Sequence, residues 1–137
     1  DRVLTEEVWI PKLTFEQIME MSQSGIVSFQ SHSYDLHREI NGEPAVLALS
    51  REEVLADFQK SIQVISRLTG EKVYSIAYPE GQVSREIIGL AQEAGFKLGF
   101  AGNIQGAAKK KETMSIRRYP LDNISQDIFN RYYGTGR

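Results

Sequence analysis

Short β-branched runs alternate with capped amphipathic helices along this chain, and that alternation constrains its fold more than any single residue does. Thr14 followed by Gln17 is a capping-box pattern, and Phe15, Ile18 and Met19 supply the apolar face of a helix over about 14–23 that stops at Gly25. Ile26, Val27 and Phe29 then read as a strand that feeds the polar cluster Gln30-Ser31-His32-Ser33. Residues 38–49 hold Asn41-Gly42 and Pro44 and read as a connection. Ser50 with Glu53 makes a second capping box ahead of Val54, Leu55, Phe58, Ile62, Ile65 and Leu68, the strongest helical pattern present, closed by Gly70. A strand over 73–77 ends at Tyr78-Pro79-Glu80-Gly81. Ser84 caps a third helix through Ile87, Ile88, Leu90 and Ala91 to Gly95, and Phe96 to Ala101 is the next strand. A loop over 102–111, a strand at 115–119 and a helix from Ser125 to about Tyr132 complete the pattern. Strands that alternate with helices at this spacing predict an α/β fold of parallel βα units rather than a sandwich.

A chain of 137 residues is the size of one domain and buries roughly two-thirds of its unfolded surface, enough for a real core. Its 16 basic and 18 acidic side chains leave a net charge of -2, which argues against a nucleic-acid partner held by bulk charge and against a basic membrane-surface protein. No apolar run approaches the ~20 residues that cross a bilayer. The absence of cysteine removes disulfides, thiolate metal sites and cysteine nucleophiles.

Parallel βα sheets carry their chemistry on the loops after the C-terminal ends of the strands. Both unusual segments of the chain fall there: Ser31-His32-Ser33-Tyr34-Asp35-Leu36-His37 after one strand, and Tyr78-Pro79-Glu80-Gly81 after the next. If the two strands are adjacent, about 4.8 Å apart, two such loops can line one pocket. His32 and His37 are the only histidines. A five-residue step turns a helix through about 500° and points to opposite faces of a strand, so regular structure keeps the two apart. They converge only if His32 ends the strand and Ser33 to Leu36 turns, which the serine and aspartate favour. Converged, two neutral imidazoles suit a divalent ion such as zinc, cobalt or nickel; otherwise they are an incidental strand-end residue and a surface one. Asp35 reads as stabilising the turn in preference to supplying a third ligand.

The stretch from Gly25 to His37 resembles the second motif of the polysaccharide deacetylases of carbohydrate esterase family 4, the NodB-homology domain. The five-residue histidine spacing within Ser-His-Ser-Tyr-Asp-Leu-His is similar to that of the poly-N-acetylglucosamine deacetylases of biofilm formation. Ile76-Ala77-Tyr78-Pro79-Glu80-Gly81 and the later Ala94-Gly95-Phe96-Lys97-Leu98-Gly99-Phe100 resemble the third family motif and its sequel, and the likeness runs from about Leu13 to Tyr133. The resemblance implies an incomplete (β/α) barrel of the NodB type, with parallel strands and outer helices. It implies that His32 and His37 bind a divalent metal, that Tyr78, Pro79 and Glu80 line the substrate and oxyanion pocket, and that Glu80 offers its backbone N–H to the oxyanion. It also implies an N-acetylglucosamine polymer as substrate and an extracellular or cell-surface location.

Two departures qualify that picture. Glu80 stands where the family commonly has an aromatic side chain, and the first family motif, a pair of aspartates that supplies a metal ligand and the catalytic base, has no counterpart upstream of Leu13, where Asp1 is alone. No histidine remains to serve as general acid. The expectation is therefore that residues 1–137 form the C-terminal portion of a deacetylase domain, that the missing N-terminal part is its partner, and that base and acid lie there. No catalytic residue is assigned in this chain, which alone should be inactive. The alternatives are a degenerate deacetylase-like domain that grips glycan without turnover, and a βα domain with incidental histidines.

Overall fold

A computed structural model of the protein describes residues 12–102 and 110–118. Helix α1, Phe15–Gln23, begins as the capping box dictates: the Thr14 hydroxyl accepts from the Gln17 N–H at 3.3 Å, and the Gln17 carboxamide accepts from the Thr14 N–H at 2.9 Å. The strand expected over 26–29 does not form. The chain meets the sheet only at Ser31, whose N–H donates to Ser75 O (3.1 Å) and whose carbonyl accepts from Ala77 N (2.9 Å), a single parallel bridge to Ile76. The reason is Gln30. Its Oε1 accepts from the backbone N–H groups of Tyr74 and Ser75, both at 3.0 Å, so a side chain takes the amides that a neighbouring strand's carbonyls would take. Ile26, left without a sheet, is 89% exposed.

The expected connection at 38–49 has structure of its own. Strands β1 (Glu39–Ile40) and β2 (Glu43–Pro44) pair antiparallel about Asn41 and Gly42, whose positive φ values of 54° and 84° make the turn that suits a two-residue hairpin. One helical turn, α2 (Ala45–Ala48), follows. The long helix α3, Arg51–Thr69, has both halves of the Ser50–Glu53 capping box and ends on left-handed Gly70. Strand β3 (Ser75–Ala77), a tight turn over Pro79–Gly81, helix α4 (Arg85–Ala94, capped by the Ser84 hydroxyl), β4 (Leu98–Ala101) and β5 (Ile116–Arg117) complete the described chain. Strands β3, β4 and β5 lie side by side in that order and run parallel, with Ile76 opposite Gly99 and Phe100 opposite Ile116. The α/β character and parallel pairing match the expectation. The described parallel strands β3, β4 and β5 make an open sheet, however, beside the separate β1–β2 hairpin, and a closed barrel is not seen among the described residues. The helix expected over 125–132 and most of the 102–111 loop lie outside the described residues.

Helix α3 packs against α1 and α4. At the centre the Phe58 and Phe96 rings meet edge to face with centroids 6.0 Å apart, among buried Val54, Ile76, Ile87, Leu90 and Ala91. Tyr78, just past β3, is wholly buried, and its hydroxyl donates to Met114 O at 2.8 Å. Burial pushes the Tyr78 phenol up to about 12. A folded value above the ~10 of a free tyrosine means that the native state resists ionisation. The contribution is intact below pH about 10 and is lost as pH rises through about 12, at most a few kcal/mol. Urea unfolding followed from pH 8 to 11.5 should show stability falling above pH 10. In Tyr78→Phe that slope should flatten, on a baseline lowered by ~1–3 kcal/mol for the orphaned Met114 carbonyl; equal slopes in the two proteins would rule the assignment out.

Candidate active site

The histidine loop is a chain of side-chain-to-backbone bonds. The Ser31 hydroxyl accepts from the Ser33 N–H at 3.0 Å, and Ser33 sits in the left-handed region at φ 86°, where a β-branched residue would be strained. The Ser33 hydroxyl in turn accepts from the Leu36 N–H at 3.1 Å. These two short-range bonds fold the segment back on itself, and Leu36, 1% exposed, pins the turn to the core. The result is the convergence that the sequence allowed only through a turn: the imidazoles of His32 and His37 lie with centroids 4.9 Å apart, tilted by 49°. Both residues are solvent-exposed. His32 Nδ1 lies 2.7 Å from Ala77 O, and because a carbonyl can only accept, Nδ1 is the donor, so that in the neutral ring Nε2 is the nitrogen with the lone pair.

The second loop reaches the same place. Gly81 N–H donates to Tyr78 O (3.1 Å) and Gln82 N–H to Pro79 O (3.0 Å), two overlapping turns that hold Glu80 at φ 51° and Gly81 at φ 66°. A non-glycine residue in that region costs of order 1 kcal/mol. Glu80 Oε1 lies 3.3 Å from His37 Nε2. Beyond it the loop after β4 closes in: a Cβ added at Gly102 would lie 3.1 Å from Gly81 Cα. The histidine pair thus sits at the C-terminal end of β3, between the Ser31–His37 loop and the Tyr78–Gly81 turn.

Of the sequence-predicted residues, His32, His37 and Glu80 come together. Tyr78 and Pro79 are buried, so their side chains support the loop from beneath while Glu80 alone of the three reaches the histidines. The Asp35 carboxylate is turned to Arg38, whose Nε donates to it at 3.0 Å, a local pairing that matches the turn role. Among the described residues, no three His, Asp or Glu side chains are arranged to hold a metal ion. What the chain does present is two exposed imidazoles, one with its second nitrogen anchored to a carbonyl as metal-bound histidines usually are, and that donor set fits a nitrogen-preferring divalent ion.

Sequence reasoning missed Asp57. Its Oδ1 accepts from the Tyr34 N–H at 2.9 Å and its Oδ2 from the Asp35 N–H at 2.7 Å, so one carboxylate on α3 holds the middle of the histidine loop. Lys60 Nζ lies 3.9 Å from the Tyr34 ring centroid, and the Ser61 hydroxyl is 2.8 Å from that of Ser31. Positions 57, 60 and 61 share one helix face, which is the only signal that the sequence carried.

Comparison with known proteins gives a consistent result. Residues 6–99 match the family model described as polysaccharide deacetylase. A poly-beta-1,6-N-acetyl-D-glucosamine N-deacetylase of Staphylococcus aureus is 26% identical over 121 residues, spanning 87% of this chain and 42% of that protein. This chain therefore spans less than half the length of the curated relatives it matches. Among solved structures, a Streptococcus pyogenes deacetylase in complex with acetate superimposes with a TM-score of 0.73 at 26% identity, over 93% of this chain and 54% of the other. The deacetylase domain of a Bordetella bronchiseptica protein gives 0.68 at 29% identity, over 77% and 48%.

Proposed function

Since this chain belongs to the polysaccharide deacetylase family, we propose that it is part of a metal-dependent polysaccharide N-deacetylase, which hydrolyses the acetamide of N-acetylglucosamine units to a free amine and acetate. The observation that carries the metal-dependent part is the convergence of the His32 and His37 imidazoles beside the C-terminal end of β3. These two side chains would hold a zinc, cobalt or nickel ion, which when bound supplies Lewis acidity to the acetamide carbonyl and to a water. Ala77 O fixes the tautomer of His32, so that its free nitrogen is ready without rearrangement. The Glu80 backbone N–H is offered to the tetrahedral oxyanion, and its left-handed conformation is the strain accepted to aim it. Its carboxylate, drawn against His37, is the point at which this chain departs from an aromatic pocket wall.

The substrate reading follows the histidine spacing and the curated relatives, whose names specify a β-1,6-linked N-acetylglucosamine polymer. Such a polymer is neutral and made at the cell surface, and that is where we place the protein. The chain spans 42% of the Staphylococcus aureus relative's length, and neither base nor acid is assigned within it. Acetate release from β-1,6 and β-1,4 N-acetylglucosamine oligomers of equal length, measured with the full-length protein, decides the matter. Faster turnover of the β-1,6 series is expected, with the 137-residue chain alone slower by ~10²–10⁴ for want of a base. Preference for the β-1,4 series would overturn the linkage, and glycan retention without acetate would turn the reading to a non-catalytic binding domain.

A further inference from the structure

We propose that Asp57 of α3 is a positioning residue for the histidine pair, holding the loop in the conformation that brings the two imidazoles together; this rests on the reading of His32 and His37 as metal ligands. The turn at Ser33 leaves two consecutive backbone N–H groups, Tyr34 and Asp35, pointing the same way, toward α3. A carboxylate has one oxygen for each, and hydrogen bonds to an ionised acceptor are the shorter and stronger kind. The bracket is therefore specific to Asp: an asparagine would offer one acceptor and set its NH₂ against the other backbone N–H.

The same helix face makes a second tie. The Ser61 hydroxyl donates to Phe58 O at 2.7 Å, so its oxygen is left to accept from the Ser31 hydroxyl, and Ser31 accepts from Ser33. A directed run of bonds thus leads from the loop's turn through two buried serines into the backbone of α3. That helix is rooted in the core by Val54, one turn before Asp57, and by Phe58, its immediate neighbour in sequence. The histidines themselves are exposed and touch α3 nowhere in this network. Their mutual placement is inherited from the backbone between them, and the backbone between them is what Asp57 grips. Lys60 on the Tyr34 ring adds a weaker contact on the exposed side.

Two readouts in the intact protein test this: hydrogen–deuterium exchange of the segment 31–38, and zinc affinity by calorimetry. In Asp57→Asn the segment should exchange faster and zinc affinity should fall about 10–100-fold, the range typical of outer-shell partners. Asp57→Glu, which keeps both oxygens, should recover part of each. Lys60→Ala should leave both near wild type, because it loosens the same helix face without touching the bracket. Wild-type exchange and affinity in Asp57→Asn, or equal losses in Lys60→Ala, would overturn the proposal. If wild type, His32→Ala and His37→Ala all bind zinc alike, it is the metal reading that fails. The bracket is then judged on exchange alone, with unchanged exchange in Asp57→Asn refuting it.

Discussion

Replacing either His32 or His37 with alanine is expected to remove tight zinc binding, a larger loss than the ~10–100-fold that follows from changing a ligand's supporting partner. Two imidazoles are all that the described residues bring together for an ion, so deleting one leaves a single nitrogen donor on an exposed loop. The two variants should also be alike in thermal stability to the parent, since both side chains are exposed and neither is part of the core. Calorimetric titration with zinc, beside a thermal melt of each variant, checks both halves. Equal zinc affinity in all three proteins would show that the convergence of the rings has no bearing on metal. Loss of affinity together with collapse of the melt would show that the histidines hold the loop instead of being held by it.

Gly99→Ala should be the most damaging single methyl in the described core. A Cβ there would lie 2.5 Å from Met114 O and 2.5 Å from the Tyr78 hydroxyl oxygen, the two atoms that hydrogen-bond each other beneath the active-site loop. The Met114 carbonyl is backbone and Tyr78 is packed on all sides, so neither can step aside cheaply. Overpacking together with the strained Tyr78–Met114 bond should cost about 3 kcal/mol or more, which lowers the melting temperature by roughly 10 °C in a domain of this size. Gly89→Ala is the matching control with the opposite sign. Gly89 lies inside α4 with no atom within 4 Å of the added methyl, and alanine there should stabilise by ~0.5–1 kcal/mol. A Gly99→Ala protein as stable as its parent would mean that β4 and the Met114 segment are not packed as closely as described.

Helices were the legible part of this sequence because their ends are written locally. Thr14 with Gln17, Ser50 with Glu53, and Ser84 before Ile87 each satisfied helical N–H groups through side chains three residues away, and the glycines at 70 and 95 closed what those caps opened. The strand over 26–29 was misread because its β-branched pattern says nothing about what its partner's amides are doing, and they are engaged by Gln30. The hairpin at 39–44 was signalled by Asn41-Gly42 but passed over, since two-residue strands leave almost no alternation to see. In the site, spacing left the pairing of His32 with His37 conditional on a turn and the family resemblance favoured it; the Ser33 turn is what brings the rings together. Glu80 was expected near the oxyanion through its backbone, and its side-chain approach to His37 was not foreseen. Asp57 lies more than twenty residues from the loop that it brackets, a distance over which no local motif speaks.

Gln30 has a bearing on how the molecule behaves in company. A strand edge with free amides is a template on which other chains crystallise into fibrils or nonspecific clusters. Here the amides of Tyr74 and Ser75 at the start of β3 are capped by one carboxamide, which, unlike a strand, has no further rungs to offer a newcomer. Beyond it, among the described residues, the edge is met only by the single bridge at Ser31. Two amides of that edge are thereby withheld from other chains by a single polar side chain, close in sequence to an isoleucine that is 89% exposed.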